Sequence, residues 1–197
     1  MLFRSALLTQ TYMGTFGSVF EQQMNSIGEL KGADAFRAWI DAEISARLTD
    51  DYFGATLPNE LDKNRASGPV WNGFLAAQVV LGPRVLFGIG TVAQLLLPAS
   101  SGTKKAYDKH HIFPSNFLKG GLYDYARDRR ANFACVDYQK NIYISDDDPK
   151  VYVAKYRAAL GDAAYRTSYE ENALPYGFED MDYLKFLRQR RVLMSRW

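Results

Sequence analysis

The sequence predicts a mainly α fold, a helical scaffold around one short β-hairpin and helix. Three observations carry that expectation. Apolar residues recur at helical spacing through the first half and again near the C-terminus. Composition changes after residue 101, from an apolar stretch to one rich in Lys, Arg and Asp. Within that charged region Asn132–Asp137 (Asn-Phe-Ala-Cys-Val-Asp) reads as a short strand.

Taken in order, Ser18-Val19-Phe20-Glu21 fits a capping box, in which the hydroxyl bonds a first-turn amide and the glutamate reaches back. Phe20, Met24, Ile27 and Leu30 follow at helical spacing. From Ala33 to Leu48 the residues Phe36, Trp39, Ile40, Ile44 and Leu48 fall on one face of an amphipathic helix. Pro58–Pro69 is polar and reads as a loop. Two apolar helices are expected after it, Val70–Leu81 and Arg84–Leu97. Pro98–Gly102 is a breaker and the candidate boundary between a helical subdomain (1–101) and a second module (102–197), unless the two form one continuous domain. Asp146-Asp147-Asp148 before Pro149 signals a helix start, because carboxylates favour the positive helix end and proline suits its first turn. That helix should run to Leu160 and stop at Gly161. A last helix is expected over Asp180–Ser195, with Tyr183, Phe186, Leu187, Val192 and Leu193 inward.

Composition removes several function classes. At 197 residues and 47% hydrophobic the chain can bury a core and is no disordered segment. A single cysteine, Cys135, excludes a disulfide framework or a thiolate zinc cluster, and it reads as a core residue. A net charge of +2 excludes a polycation. Met1–Leu8 opens no run of signal-peptide length. The uncharged Val85–Leu97 is too short to cross a bilayer and is interrupted by Gly88, Gly90 and Gln94. A cytoplasmic protein without a membrane span is expected.

Both histidines of the chain are adjacent, in His110-His111-Ile112-Phe113-Pro114. Asn132 follows His111 by 21 residues, and Asn141 comes nine residues later. Phosphodiester hydrolysis needs a base that works near neutral pH, which suits histidine. It also needs a divalent cation with nitrogen or oxygen ligands and open positions for phosphate and water. Neighbours on a strand point to opposite sides, so one histidine can ligate while the other addresses water. An amide oxygen from a following helix would complete such a site.

These residues resemble the HNH, or ββα-metal, nucleases. The resemblance implies His110 as a metal ligand, His111 as the general base, Asn132 as the central residue that organises the loop, and Asn141 as the helix ligand. Asp108, two residues upstream of His110, is a further candidate to assist. Ala131-Asn-Phe-Ala-Cys-Val-Asp137, Gln139-Lys-Asn-Ile-Tyr-Ile-Ser-Asp146, Pro149-Lys-Val-Tyr152 and the closing Tyr183–Arg191 helix are similar to the nuclease half of GmrSD-like restriction proteins. The similarity covers residues 104–193. It implies a phage-defence DNA endonuclease without the nucleotide-hydrolysing half of the full pattern, so that a partner nucleotidase subunit, an N-terminal domain outside this sequence and a free-standing effector all stay open. Mg²⁺ or Mn²⁺ is the implied cofactor, and a histidine ligand also tolerates Ni²⁺, Co²⁺ or Zn²⁺. One such site cuts one strand, so double-strand cleavage calls for a homodimer or two sequential nicks.

Lys109, Arg127, Arg129 and Arg130 flank these segments and are candidate contacts to DNA phosphates. Arg188, Arg190, Arg191 and Arg196 crowd the last helix, where a solvated face is an equally good reading. Tyr107, Phe113, Tyr123 and Tyr125 could stack on bases, although packing in the core is the commoner fate of such residues. Two further readings stay open: a helical module that binds DNA or a partner without turnover, and an antibacterial nuclease toxin.

Overall fold

The structure is a computed structural model that describes residues 18–96 and 107–197. The expectations placed on Met1–Leu8, on Pro98–Gly102 and on Leu97 lie outside the described residues. Helices dominate, and the described residues contain one sheet of two antiparallel strands.

Helices α1 (Ser18–Gly28) and α2 (Gly32–Arg47) open the described chain. The stripe expected on α2 is buried only at its C-terminal end, through Ile44 and the following Leu48, while Phe36 is exposed and stacks on Trp39. A π-helical turn (Tyr52–Thr56) leads into α3 (Leu57–Leu61). The segment read as a loop from Pro58 is therefore helical to Leu61, because proline fits a helix's first turn. Helix α4 (Gly68–Leu81) has Pro69 in its first turn and ends at Gly82, whose left-handed backbone (φ 70°) suits glycine.

The helix expected over Arg84–Leu97 is corrected. Among its described residues only α5 (Val92–Leu96) is helical. Residues 84–91 form a tight, non-helical excursion. The Val85 amide donates to Gly90 O at 2.9 Å, and the Gly88 amide donates to Val85 O at 2.9 Å. A Cβ on Gly88 would stand 2.3 Å from Val85 Cγ2, so the turn requires glycine. Phe87 adopts a positive φ of 55°, and its amide donates to Ser168 Oγ. The run is apolar because it is buried, not because it is helical: Val85, Leu86 and Phe87 are each at most 1% exposed. Leu86 donates its amide to Cys135 O, alongside the sheet.

Strand β1 (Tyr107–His111) pairs with β2 (Phe133–Asp137), with His110 opposite Ala134 and His111 opposite Phe133. Asn132 precedes β2 in a 3₁₀ turn (Arg130–Asn132) rather than opening it. Between the strands lie a short helix α6 (Ser115–Leu118) and a second 3₁₀ turn (Asp124–Ala126). Helix α7 (Tyr138–Ile144) follows β2 at once and packs on both strands, completing a ββα order.

Helix α8 (Pro149–Leu160) starts where the carboxylate run predicts: Asp148 Oδ1 accepts from the Lys150 amide at 2.8 Å. Helix α9 (Asp162–Glu170) follows directly after Gly161. A 3₁₀ turn (Phe178–Asp180) precedes α10 (Tyr183–Ser195), which Asp182 caps through the amides of Leu184 and Lys185. Tyr183, Phe186 and Leu187 face inward as expected, but Val192 is exposed.

One hydrophobic cluster holds Leu57, Trp71 and Phe87 together with Ile112, Phe133, Tyr152 and Phe186, so side chains on both sides of residue 101 share a core. Arg190 lies inside it, 1% exposed. Its guanidinium donates to the carbonyls of Ala131, Phe133 and Asn172, and burial pushes its pKa down to about 9. Arg190 is thus a structural cation, not part of a solvated basic face. No helix among the described residues is long and apolar enough to cross a membrane.

Candidate functional site

Strand alternation separates the two histidines. His110 is buried at 4% exposure, while the His111 side chain keeps 24%. Helix α7 sets Asn141 against the first of them, with His110 Nδ1 and Asn141 Oδ1 2.7 Å apart. Behind His110 stands Tyr152 of α8, edge-on to the imidazole at 6.1 Å between ring centres. The Tyr152 hydroxyl donates to Ile112 O at 2.5 Å, and burial holds its pKa well above the ordinary phenol value. That bond ties the strand exit to α8.

Asn132 is fully buried and acts on the same exit. Its Oδ1 accepts from the Phe113 amide at 2.8 Å, and its Nδ2 donates to the carbonyls of Phe113 and Arg127, each at 2.9 Å. Its own carbonyl accepts from the Ile112 amide. Asn132 therefore staples the end of β1 to the turn before β2, and it is not among the residues lining the neighbouring cleft.

That cleft has a volume of about 220 Å³ and is lined by Lys109, His110, His111, Ser115, Asn141 and Asp146, among others. His110 Nδ1 and Asn141 Oδ1 share a hydrogen bond, with Nδ1–H donating to the amide oxygen, and the same two atoms can ligate a small hard cation once the ring hydrogen is on Nε2 instead. Ligands on adjacent octahedral positions at about 2.1 Å from Mg²⁺ are about 3 Å apart, close to the observed 2.7 Å. Among the described residues no group of three or more His, Cys, Asp and Glu side chains could hold a metal. Sites with few protein ligands, completed by water and phosphate, are the habit of Mg²⁺ rather than of structural zinc. Asp146 also lines the cleft, and its Oδ2 accepts from Asn116 Nδ2.

The cationic candidates divide. Arg129 donates to Asp62 O at 2.5 Å. Arg130 donates to the carbonyls of Glu60, Arg65 and Ser67, and burial lowers its pKa. These guanidinium groups add bonds to carbonyls at and after the end of α3, where Glu60 O and Arg65 O also accept the amides of Lys63 and Ser67. Lys109 donates to Ala66 O at 2.9 Å and is the one of the four that lines the cleft. Arg127 pairs with Asp124 at 2.9 Å and lies 3.8 Å from Asp128. Among the aromatic candidates Phe113 is core, Tyr123 packs against the core and Tyr125 is exposed. The side chains of Tyr107 and Asp108, and all of Lys104 and Lys105, lie outside what is described. Cys135 is buried on β2, and burial pushes its thiol up to about 12, so it is no nucleophile at neutral pH.

Three residues have roles here that the sequence does not assign to them. Asp128 accepts at Oδ1 against His111 Nε2, 2.9 Å away, but in the sequence it sits inside a run read for its arginines. Tyr152, quoted within the Pro149–Tyr152 segment, and Arg190, read with the basic cluster of the last helix, meet the site only through tertiary packing. No family model, no curated protein and no solved structure matches the chain.

Proposed function

We propose that the chain is a metal-dependent DNA endonuclease with the HNH arrangement, the nuclease part of a phage-defence restriction system. The observation that carries this reading is the meeting of His110 Nδ1 and Asn141 Oδ1 at 2.7 Å on a ββα frame, with His111 on the same cleft. His110 and Asn141 would hold Mg²⁺ or Mn²⁺, which offsets charge building on the phosphate oxygens and on the departing 3′-oxygen. His111 takes a proton from water as that water attacks phosphorus in line. The P–O3′ bond breaks, leaving a 5′-phosphate. Asn132 keeps the strand exit rigid so that the two histidines hold their separate orientations. Lys109 is the candidate phosphate contact that lines the cleft.

Supercoiled plasmid incubated with the purified protein and Mg²⁺ or Mn²⁺ tests the reading. Nicking is expected, and His111→Ala should reduce it by about 10²- to 10⁴-fold, the usual worth of a general base. No cleavage with any divalent cation, alone or with a nucleotidase partner, would sink it. A second reading, a helical module that binds DNA or a partner without turnover, draws on one observation. Arg129 and Arg130 are engaged with backbone carbonyls, which leaves the cleft less cationic than the sequence suggests. It predicts binding that survives His111→Ala and no cleavage by the wild type.

A further inference from the structure

We propose that Asp128 is a positioning residue that fixes the tautomer of His111, so that Nδ1 is the atom that takes the proton from water. The proposal rests on the nuclease reading and adds to it a residue and an atom.

The geometry is specific. His111 Nε2 lies 2.9 Å from Asp128 Oδ1. An ionised carboxylate only accepts, so the hydrogen of the neutral imidazole sits on Nε2 and the lone pair on Nδ1. His111 lines the cleft, and Asp128 is not among its lining residues. The ring is held on a second side by Phe133, 4.2 Å away between centres and tilted by 45°. Asp128 itself sits on a braced segment. Its carbonyl accepts from the Arg65 amide at 2.7 Å, the preceding carbonyl of Arg127 accepts from Asn132, and that of Ala126 accepts from the Tyr183 hydroxyl. Arg127 Nε stands 3.8 Å from Oδ2, on the carboxylate's other oxygen.

The step balances without a proton on Asp128. Water gives a proton to Nδ1, its oxygen bonds to phosphorus, the P–O3′ bond breaks, and the leaving oxygen is protonated by solvent. The imidazolium then carries hydrogen on both nitrogens, and its Nε2–H bond to the Asp128 carboxylate, charge-assisted on one side at the start, becomes an ion pair that strengthens as the reaction proceeds.

The chain contains two histidines, so ¹⁵N-histidine labelling resolves the question without crowding. In the wild type, at a pH where the rings are neutral, His111 should show a protonated Nε2 and an unprotonated Nδ1. Asp128→Ala should mix the two tautomers and lower kcat by roughly ten- to a hundredfold with KM little changed, a share of the general-base contribution. Asp128→Asn keeps the side chain's shape, and its amide can donate as well as accept, so it should also admit the second tautomer. A wild-type ring protonated on Nδ1 overturns the proposal. So does an unchanged tautomer in both variants, or a changed tautomer with unaltered kcat. A wild type that cuts no DNA while its His111 tautomer follows Asp128 overturns the nuclease reading instead and supports the Asp128–His111 coupling. Circular dichroism on each variant separates loss of fold from loss of the tautomer.

Discussion

The amide of Asn132 holds the corner between the strands through three contacts of unequal kind. One is an acceptor contact to the Phe113 amide, and two are donor contacts to the carbonyls of Phe113 and Arg127. Aspartate has the same shape but no donors, so Asn132→Asp would set a buried carboxylate against two carbonyl oxygens. We expect a loss of roughly 3 kcal/mol, the combined cost of broken buried bonds and an unpaired charge. Urea unfolding checks it, and a midpoint within error of the wild type would show that the corner does not depend on those donors. His110 and His111 make the complementary point. Their difference in burial follows from strand alternation, a rule readable in the sequence once a strand is granted. The partners Asn141 and Asp128 are 31 and 17 residues away from them, and the connection between the strands decides which atoms meet. The arginines show the limit of reading residue types: Arg127, Arg129, Arg130 and Arg190 look alike in sequence. Two of them satisfy carbonyls around α3, one pairs with carboxylates, and one is sealed in the core.

Local signals at helix starts proved readable because they depend on a few neighbouring residues. Asp148 and Pro149 begin α8, and Asp182 caps α10 two residues later than expected for that helix. Asp182 also accepts from the Tyr123 hydroxyl, and that bond is the main reason its pKa is lowered. Asp182→Ala should cost about 1 kcal/mol, the usual worth of a cap. A lowered carboxyl contributes stability that is present above its ordinary range and lost as pH falls through its value in the fold. The difference between wild type and Asp182→Ala, followed by thermal unfolding, should therefore be full at neutral pH and shrink as the solution is acidified below the carboxylate range. A constant difference across that titration would refute the linkage. Arg84–Leu97 failed for an equally physical reason. Continuous apolarity does not distinguish a buried helix from a buried extended turn. Glycines at 88 and 90 were visible, but the acceptor for the Leu86 amide, Cys135 O, lies on a distant strand.

Across the whole molecule, tyrosines link the core to the frame of the site. Burial raises the pKa of Tyr152, Tyr169 and Tyr183, and pushes that of Tyr165 up to about 12. A raised phenol contributes stability that is complete below its unfolded value near 10 and lost as pH rises toward its value in the fold. Arg190, pushed down to about 9, and Arg130, also lowered by burial, have the opposite sign, but they are two groups against these four. Stability should therefore hold to about pH 10 and fall above it, with tyrosinate absorbance appearing together with the loss of circular dichroism. Ionisation of all the tyrosines well ahead of unfolding would contradict this. The shared core also explains why the break in composition after residue 101 does not separate the packing: Trp71 meets Phe133, and Phe74 meets Trp197. The sequence by itself determined the helical class, the strand from Phe133 to Asp137 and the start of α8 at Asp148-Pro149, because these rest on periodicity and nearby partners. Only the tertiary structure decided that Asp128 faces His111, that Arg190 is core, and that the apolar run at 85–87 lies along the sheet. Each of those depends on which carbonyl, carboxylate or ring a distant segment presents, and local spacing carries no record of that.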